Sequence, residues 1–232
     1  MSYETIQAQK RAQAIACKNL RKANLSEADL SKLNLRGADL IEAYLPGANL
    51  TNADLTGANL SWADLFKANL KGANLQGADL SGADLNGTDL TDADLTDADL
   101  TSTMLRWAII TPEALKQANT LKIKEDLYKI LRASQQEVPN LMKALLEGKI
   151  EGTSYEDECA CLIGTIARTR GVDYKKLPSS LQPNANRPAE RWFYGIKQGD
   201  TPQTSPIARI TAEWIQEWAR RTGMLLGDSR NM

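Results

Sequence analysis

The chain contains no histidine among its 232 residues. That absence removes the usual general base near neutral pH, the commonest zinc ligand, and every Ser-His or Cys-His mechanism. Cysteine is scarce: Cys17, Cys159 and Cys161 are an odd number at unrelated spacings and make no disulfide framework. Cys159-Ala-Cys161, preceded by Asp157 and Glu158, is the most metal-like cluster. A structural zinc site draws four Cys or His ligands, so no metal is expected here. No apolar stretch approaches the roughly 18–20 residues that span a bilayer. The first twenty residues lack the apolar core of a signal peptide. The expectation is therefore a cytoplasmic protein with reduced thiols and no membrane contact. Phosphate-binding glycine loops and dinucleotide fingerprints are also missing. Glu190, Asp200 and Glu213 offer carboxylates without a pairing suited to acid–base work. No catalytic residue and no cofactor is expected.

What is present is unevenly distributed. The formal net charge is −1, yet residues 19–105 hold thirteen acidic and six basic residues, a balance of −7. Residues 106–232 hold nineteen basic and fifteen acidic residues, a balance of +4. Such an asymmetry points to two parts with different surfaces.

Leucine stands at every fifth position from Leu20 to Leu105, eighteen in succession. Two residues before most of them is alanine, with Leu33, Thr88 and Thr103 as exceptions after the entry at Lys18. Between the two lies Asp or Asn almost every time. A period of five fits neither a helix nor a flat strand. It fits a chain that makes a short extended side and then turns, four times per coil of twenty residues. Ala and Leu then point inward and the other three residues outward. From Leu20 to Leu105 is about four and a quarter coils, so the rod is about 20 Å long at the ladder spacing of 4.7–4.9 Å.

The string Ala-(Asp/Asn)-Leu-X-X, as in Ala53-Asp54-Leu55 and Ala73-Asn74-Leu75, resembles the pentapeptide-repeat proteins. That resemblance covers residues 19–105 and implies a right-handed quadrilateral β-helix. Members of the family that protect gyrase from quinolones resemble duplex DNA in shape and charge. This sequence departs from them in its shorter solenoid, its uniform interior leucine where they often carry Phe, and its large second half. That half, read as helical throughout, resembles only uncharacterised phage and bacterial proteins. The expected fold class is thus mainly β solenoid, with an N-terminal cap over 1–18, a β-helix over 19–107 and an all-α domain over 108–232.

Each buried leucine contributes roughly 1.5–3 kcal/mol, and eighteen in four columns fill a narrow bore. Function is accordingly expected on the outside, at the ends, or in the second half. Positions twenty apart lie above one another, so the exterior can be mapped. Ile41, Tyr44, Pro46, Trp62 and Phe66 should form one apolar patch, either covered by another part of the chain or open to a partner. Asp79, Asp84, Asp89, Asp92, Asp94, Asp97 and Asp99 occupy a run without Lys or Arg. They are the candidate acidic face for a basic partner. Asp at the position before Leu is simply the repeat consensus, whereas Asp92 and Asp97 lie two residues after a leucine.

Beyond Leu105 the signals are helical. Thr111-Pro112-Glu113 reads as cap, first-turn proline and acidic first turn. Helices are predicted over 112–119, 121–134, 138–147, 157–170, 188–198 and 206–221, with Gly148, Gly171, Gly199 and Gly223 as stops. Arg187, Arg191 and Trp192 are the candidate ligand-binding residues, because two guanidiniums beside an indole could grip an anion and stack on a base. The same segment also fits a buried face with an Arg–acid network. The expected role is macromolecular interaction, with a protein partner such as a DNA-binding enzyme, a DNA-mimic inhibitor as its most concrete form, and homo-oligomerisation through the helical domain. No direct nucleic-acid contact by the solenoid is expected. The alternative is a small-ligand site or activity in the helical half.

Overall fold

The computed structural model describes residues 19–150, 162–178, 181, 184 and 187–226. The expected N-terminal cap and the Cys159-Ala-Cys161 cluster lie outside these residues. The chain divides into two compact units, Met1–Thr120 and Leu121–Met232.

In the first unit each pentad forms one side of a coil, and the coils stack in parallel register at intervals of twenty residues. Four columns of bridged residues define the four sides. The first side runs Asn19–Asp39–Asn59–Asp79–Asp99–Asn119. The second runs Asn24–Tyr44–Asp64–Asp84–Met104, the third Asp29–Asn49–Asn69–Asp89–Ile109, and the fourth Asn34–Asp54–Asn74–Asp94. Each side is so short that it holds a single bridged residue rather than a strand. All eighteen repeat leucines are at most 2% exposed.

Three backbone bonds per pentad tie one coil to the next. Leu50 and Asn52 donate to the carbonyls of Asn69 (2.7 Å) and Lys71 (2.9 Å), and Asn69 donates back to Ala48 (2.9 Å). A fourth, Ala53 N–H to the Leu50 carbonyl at 3.0 Å, closes the corner. The second residue after each leucine is left-handed at every corner, from Lys22 (φ 55°) to Trp107 (φ 61°). Eleven of these residues are not glycine, and each left-handed L-residue costs about 1–2 kcal/mol.

The residue before leucine holds the corner from the other side. Its Asp or Asn oxygen accepts the N–H of the first corner residue, as Asp54 Oδ1 does from Thr56 (3.1 Å) and Asn69 Oδ1 from Lys71 (3.1 Å). Tyr44 and Met104 are the exceptions between Asn19 and Met104. Pro46, which follows Tyr44 by two, has no N–H to offer. Arg106, which follows Met104 by two, donates to Asn86 Oδ1 of the coil before (2.8 Å). The two threonines that replace interior alanine are satisfied in the same economical way. Thr88 and Thr103 hydroxyls donate to the carbonyls of Leu65 and Leu80, each at 3.0 Å.

The solenoid unit extends further than the repeat suggested. Helix α1, Pro112–Gln117, starts on Thr111, whose hydroxyl accepts from Ala114 N–H (3.1 Å). Gln117 then accepts from Asp97 N–H (3.0 Å), and Asn119 donates to Ala98 (2.8 Å) and bridges Asp99. Residues 117–119 therefore pair with the last coil at Asp97 and Ala98, and the first compact unit runs to Thr120.

Among the described residues of the second unit every regular element is helical: α2 Leu121–Ala133, α3 Val138–Leu146, α4 Leu162–Arg170, α5 Pro188–Phe193 and α6 Pro206–Thr222, with short 3-10 turns at Gln135–Glu137 and Tyr174–Lys176. Helix α2 packs on α5, and α3 on both α4 and α6. Helix α6 buries Ile207, Ile210, Trp214, Ile215 and Trp218 and stops at Gly223, φ 72°. The helix expected over 188–198 ends at Phe193. There Gly195 and Ile196 bond back only three residues, to Trp192 and Phe193 (3.0 Å each), which tightens the chain out of the helix. A side chain at Gly195 would collide with Ile207.

The corner conformation generates a stability prediction. At Gly57 (φ 62°) an added Cβ meets nothing within 4 Å, whereas at Gly82 (φ 71°) it would lie 2.8 Å from the Trp62 ring. Gly57→Ala should cost about 1–2 kcal/mol from left-handed strain alone, and Gly82→Ala distinctly more. Urea unfolding of the two full-length variants measures the difference; equal midpoints would refute the packing of Trp62 on Gly82.

Candidate interaction surfaces

The seven acidic residues do not form one face. Because each pentad turns the chain by one side, Asp79, Asp84, Asp89 and Asp94 stand on the first to fourth sides of a single coil, and Asp99 lies over Asp79. Asp92 and Asp97 occupy the corners on either side of Asp94. The result is a collar, densest on the fourth side. Each member also has a structural role. The five before leucine accept corner N–H groups at 2.8–2.9 Å. Asp92 (φ 58°) and Asp97 (φ 59°) hold left-handed corners, a conformation that Asp and Asn tolerate better than most residues. Earlier coils carry compensating cations, as in Arg21–Asp39 (3.5 Å), Lys22–Glu42 (3.3 Å) and Arg36–Asp54 (3.4 Å).

The hydroxyl-bearing corners shift three carboxyls. Asp54 is held below its ordinary value of 3.8 first by the Thr56 hydroxyl (2.6 Å), with Arg36 adding to the effect. Asp89 and Asp94 are lowered likewise, chiefly by Thr91 and Thr96.

Tyr44, Trp62 and Phe66 are 48%, 59% and 38% exposed, and Ile41 and Pro46 are half-buried beside them. All five lie on the second side or its bordering corners. Lys67 Nζ sits 5.0 Å from the Phe66 ring centre. Two coils on, Arg106 stacks 4.0 Å from the centre of Trp107. The adjacency of Arg106 and Trp107 in sequence is the signal that marks this pair.

Trp192 is enclosed, and Arg187 is turned to acidic neighbours. Trp192 is 2% exposed. Its indole N–H donates to Thr211 Oγ1 (2.9 Å), and its ring lies 5.1 Å from that of Trp214. An indole so enclosed cannot stack on a base. Arg187 Nε is 3.7 Å from Asp126 and its Nη1 3.9 Å from buried Glu190. Asp126 also accepts from Ala189 N–H (3.1 Å) and so caps α5 from α2. Arg191 is half-buried on the same short helix. The cluster is a latch between helices.

A groove of about 900 Å³ in the second unit is lined instead by Arg132, Gln136, Glu137, Asn140 and Arg170 among others. Glu137, buried, is gripped by Arg170 through Nε (2.7 Å) and Nη2 (3.3 Å). The pair spans 33 positions in sequence and no local pattern announces it. Among the described residues no group of three His, Cys, Asp or Glu could hold a metal ion. None of their helices is long and apolar enough to cross a membrane.

With these surfaces defined, the class is a pentad-based β-solenoid joined to a helical unit. Residues 17–40, 34–72 and 73–111 match the family described as Pentapeptide repeats, in eight copies. The chain belongs to the pentapeptide-repeat family, whose fold is the right-handed β-helix. A pentapeptide repeat protein from Nostoc Pcc 7120 solved as a crystal structure is 37% identical; the match covers 42% of this chain and 78% of that one, with a TM-score of 0.36. HetL, a Nostoc pentapeptide repeat protein involved in heterocyst differentiation regulation, is 36% identical over 45% of this chain and 58% of its own, with a TM-score of 0.34. One from the Arabidopsis thaliana thylakoid lumen is 33% identical over 38% and 71%, with a TM-score of 0.27. No curated protein sequence matches the chain.

The lowered carboxyls fix the sign of an acid response. A carboxyl whose folded value is depressed stabilises the fold above its unfolded value, and that contribution is lost as pH falls through the folded value. The solenoid should therefore lose stability below about pH 4. The triple variant Thr56→Val, Thr91→Val, Thr96→Val should lose less between pH 6 and pH 3. Urea midpoints at the two pH values test this, and identical losses would contradict it.

Proposed function

We propose that this protein is a non-enzymatic interaction protein, whose solenoid presents a rigid anionic exterior to a basic protein partner. The observation that carries the proposal is the filled interior. Leucines at most 2% exposed leave no internal cavity in the solenoid, so its recognition chemistry belongs to the outside. There the collar from Asp79 to Asp99 has six carboxylates within one coil, Asp79 to Asp97, and no Lys or Arg.

A DNA-mimic inhibitor of a nucleic-acid-binding protein is the specific form of this reading. One coil rises about 4.8 Å, and duplex DNA carries one charge per about 1.7 Å. The collar thus packs six carboxylates into a rise that spans only about three phosphates, which suits a local basic pocket better than a long duplex-binding channel. A DNA-binding enzyme is the kind of partner it fits. The helical unit supplies recognition or self-association in this proposal. The alternative of a ligand site at Arg187, Arg191 and Trp192 gains no support from an enclosed indole.

The test is the full-length double variant Asp92→Lys, Asp97→Lys. Lys22, Lys32 and Lys67 hold the same left-handed corner, so the substitution keeps the coil. Wild type immobilised against extract of the native host should retain a basic protein that the double variant does not. Equal retention by both would sink the proposal.

A further inference from the structure

We infer that the second side of the solenoid is a receptor for one cationic side chain, arginine or lysine, on a partner protein segment with apolar flanks, centred on Asp64. The inference rests on the interaction reading above but assigns binding to a different part of the surface from the collar.

Within the solenoid every exposed aromatic residue belongs to this side or its corners: Tyr44, Trp62, Phe66 and, at 51% exposure, Trp107. Asp64 lies two residues from Trp62 and two from Phe66, and it bridges Tyr44 in the coil before. Two extended residues span about 7 Å and bridged chains lie about 4.8 Å apart. Three aromatic residues therefore stand within about 7 Å of Asp64 along the backbone, with Asp84 next in the column and the Trp62 ring reaching over Gly82 toward that coil. The corner uses only one oxygen of Asp64, which accepts Phe66 N–H at 3.0 Å.

An anion set among aromatic rings has the chemistry of a cation receptor. The carboxylate supplies Coulomb attraction and the ring faces supply quadrupole attraction, together with apolar cover for the stem of a long side chain. Rings at this border already engage cations of their own, Lys67 on Phe66 and Arg106 on Trp107. The same charges exclude other occupants. Phosphate-bearing polymers meet Asp64 and Asp84 as like charges, and a second copy packed on this side would set those columns against each other. Trp62 holds the left-handed corner at φ 59°, as ten other non-glycine residues do, where the next coil uses Gly82.

The probe is an acetylated Ala-Leu-Arg-Leu-Ala amide, with its glutamine counterpart as control, titrated into the full-length 15N-labelled protein. The arginine peptide should shift the Trp62 indole N–H signal and the glutamine peptide should not. Asp64→Asn keeps an oxygen for the corner and should weaken the arginine peptide about five-fold. Trp62→Gly should also weaken it while leaving the urea midpoint of the solenoid unchanged or higher, a split that a purely structural tryptophan would not produce. Binding unaffected by both variants overturns the inference. If the peptide instead shifts signals around Asp94 and responds to Asp92→Lys, Asp97→Lys, the inference falls and the collar reading stands. If it shifts nothing at either place, this inference falls with it, and host extract then decides the collar reading separately.

Discussion

One corner, repeated eighteen times, governs the first unit. Each pentad must place its second residue after leucine in the left-handed region, because only then does the following alanine N–H reach back to the leucine carbonyl. That single requirement sets much of the composition. All seven glycines between residues 19 and 105 occupy this position, and asparagine and aspartate take three more. It also sets how the surface is dressed. Side chains at these corners lie along the coil axis over the next coil, as Trp62 does over Gly82 and Lys67 over Gly87. Glu27, Asn52, Trp62 and Lys67 are each followed by glycine at the corresponding corner twenty residues later, whereas Lys22, Lys32 and Glu42 are followed by Glu42, Asn52 and Trp62.

The capping oxygen before each leucine is the second half of the device, and it changes how the acidity of the solenoid should be understood. Aspartate and asparagine serve the corner equally, since either offers one oxygen to the N–H. The choice between them is therefore open to selection for charge. Early coils mix the two and set Arg21, Lys22 and Arg36 against the acids. The coil from Asp79 uses aspartate alone and has no cation. Geometry explains why an oxygen stands at each of these places; it does not explain why the oxygen is charged. The charge of the collar lives in that remaining freedom.

The period of five made the tube, its four columns and the exterior map readable before any coordinates, because side-chain direction follows from position in the pentad. The boundary was less readable. Asn119 continues the first column after a helical excursion, and nothing local marks a bridge to Asp99. The left-handed corner is a backbone constraint that glycine marks at only seven of its eighteen positions, so residue types alone do not announce it. Caps and stops of the helices were visible because they are local, as at Thr111-Pro112 and Gly223. The latch of Asp126, Arg187 and Glu190 joins residues more than sixty positions apart, so the chain alone offered Arg187 and Trp192 as a ligand grip when packing had already used the indole.

Departures from a repeat carry more information than the repeat itself, since a sequence that satisfies every local rule is explained by folding alone. Between Asn19 and Met104 the residue before leucine fails to be Asp or Asn only at Tyr44 and Met104, and both stand in one column. Aromatic residues take the left-handed corner only at Trp62 and Trp107, and these occupy the two corners that border that same column. Phe66 replaces a polar residue on one of them. Pro46 makes the substitution at Tyr44 tolerable by removing the donor that an Asx oxygen would have served, so that exception required two coordinated changes. Independent errors in a four-sided tube would scatter over its sides. The interior exceptions Leu33, Thr88 and Thr103 do so, whereas the four that add exposed ring surface, Tyr44, Trp62, Phe66 and Trp107, gather on the second side and its corners. A shared demand from outside the solenoid accounts for that convergence more simply than four separate accidents of packing.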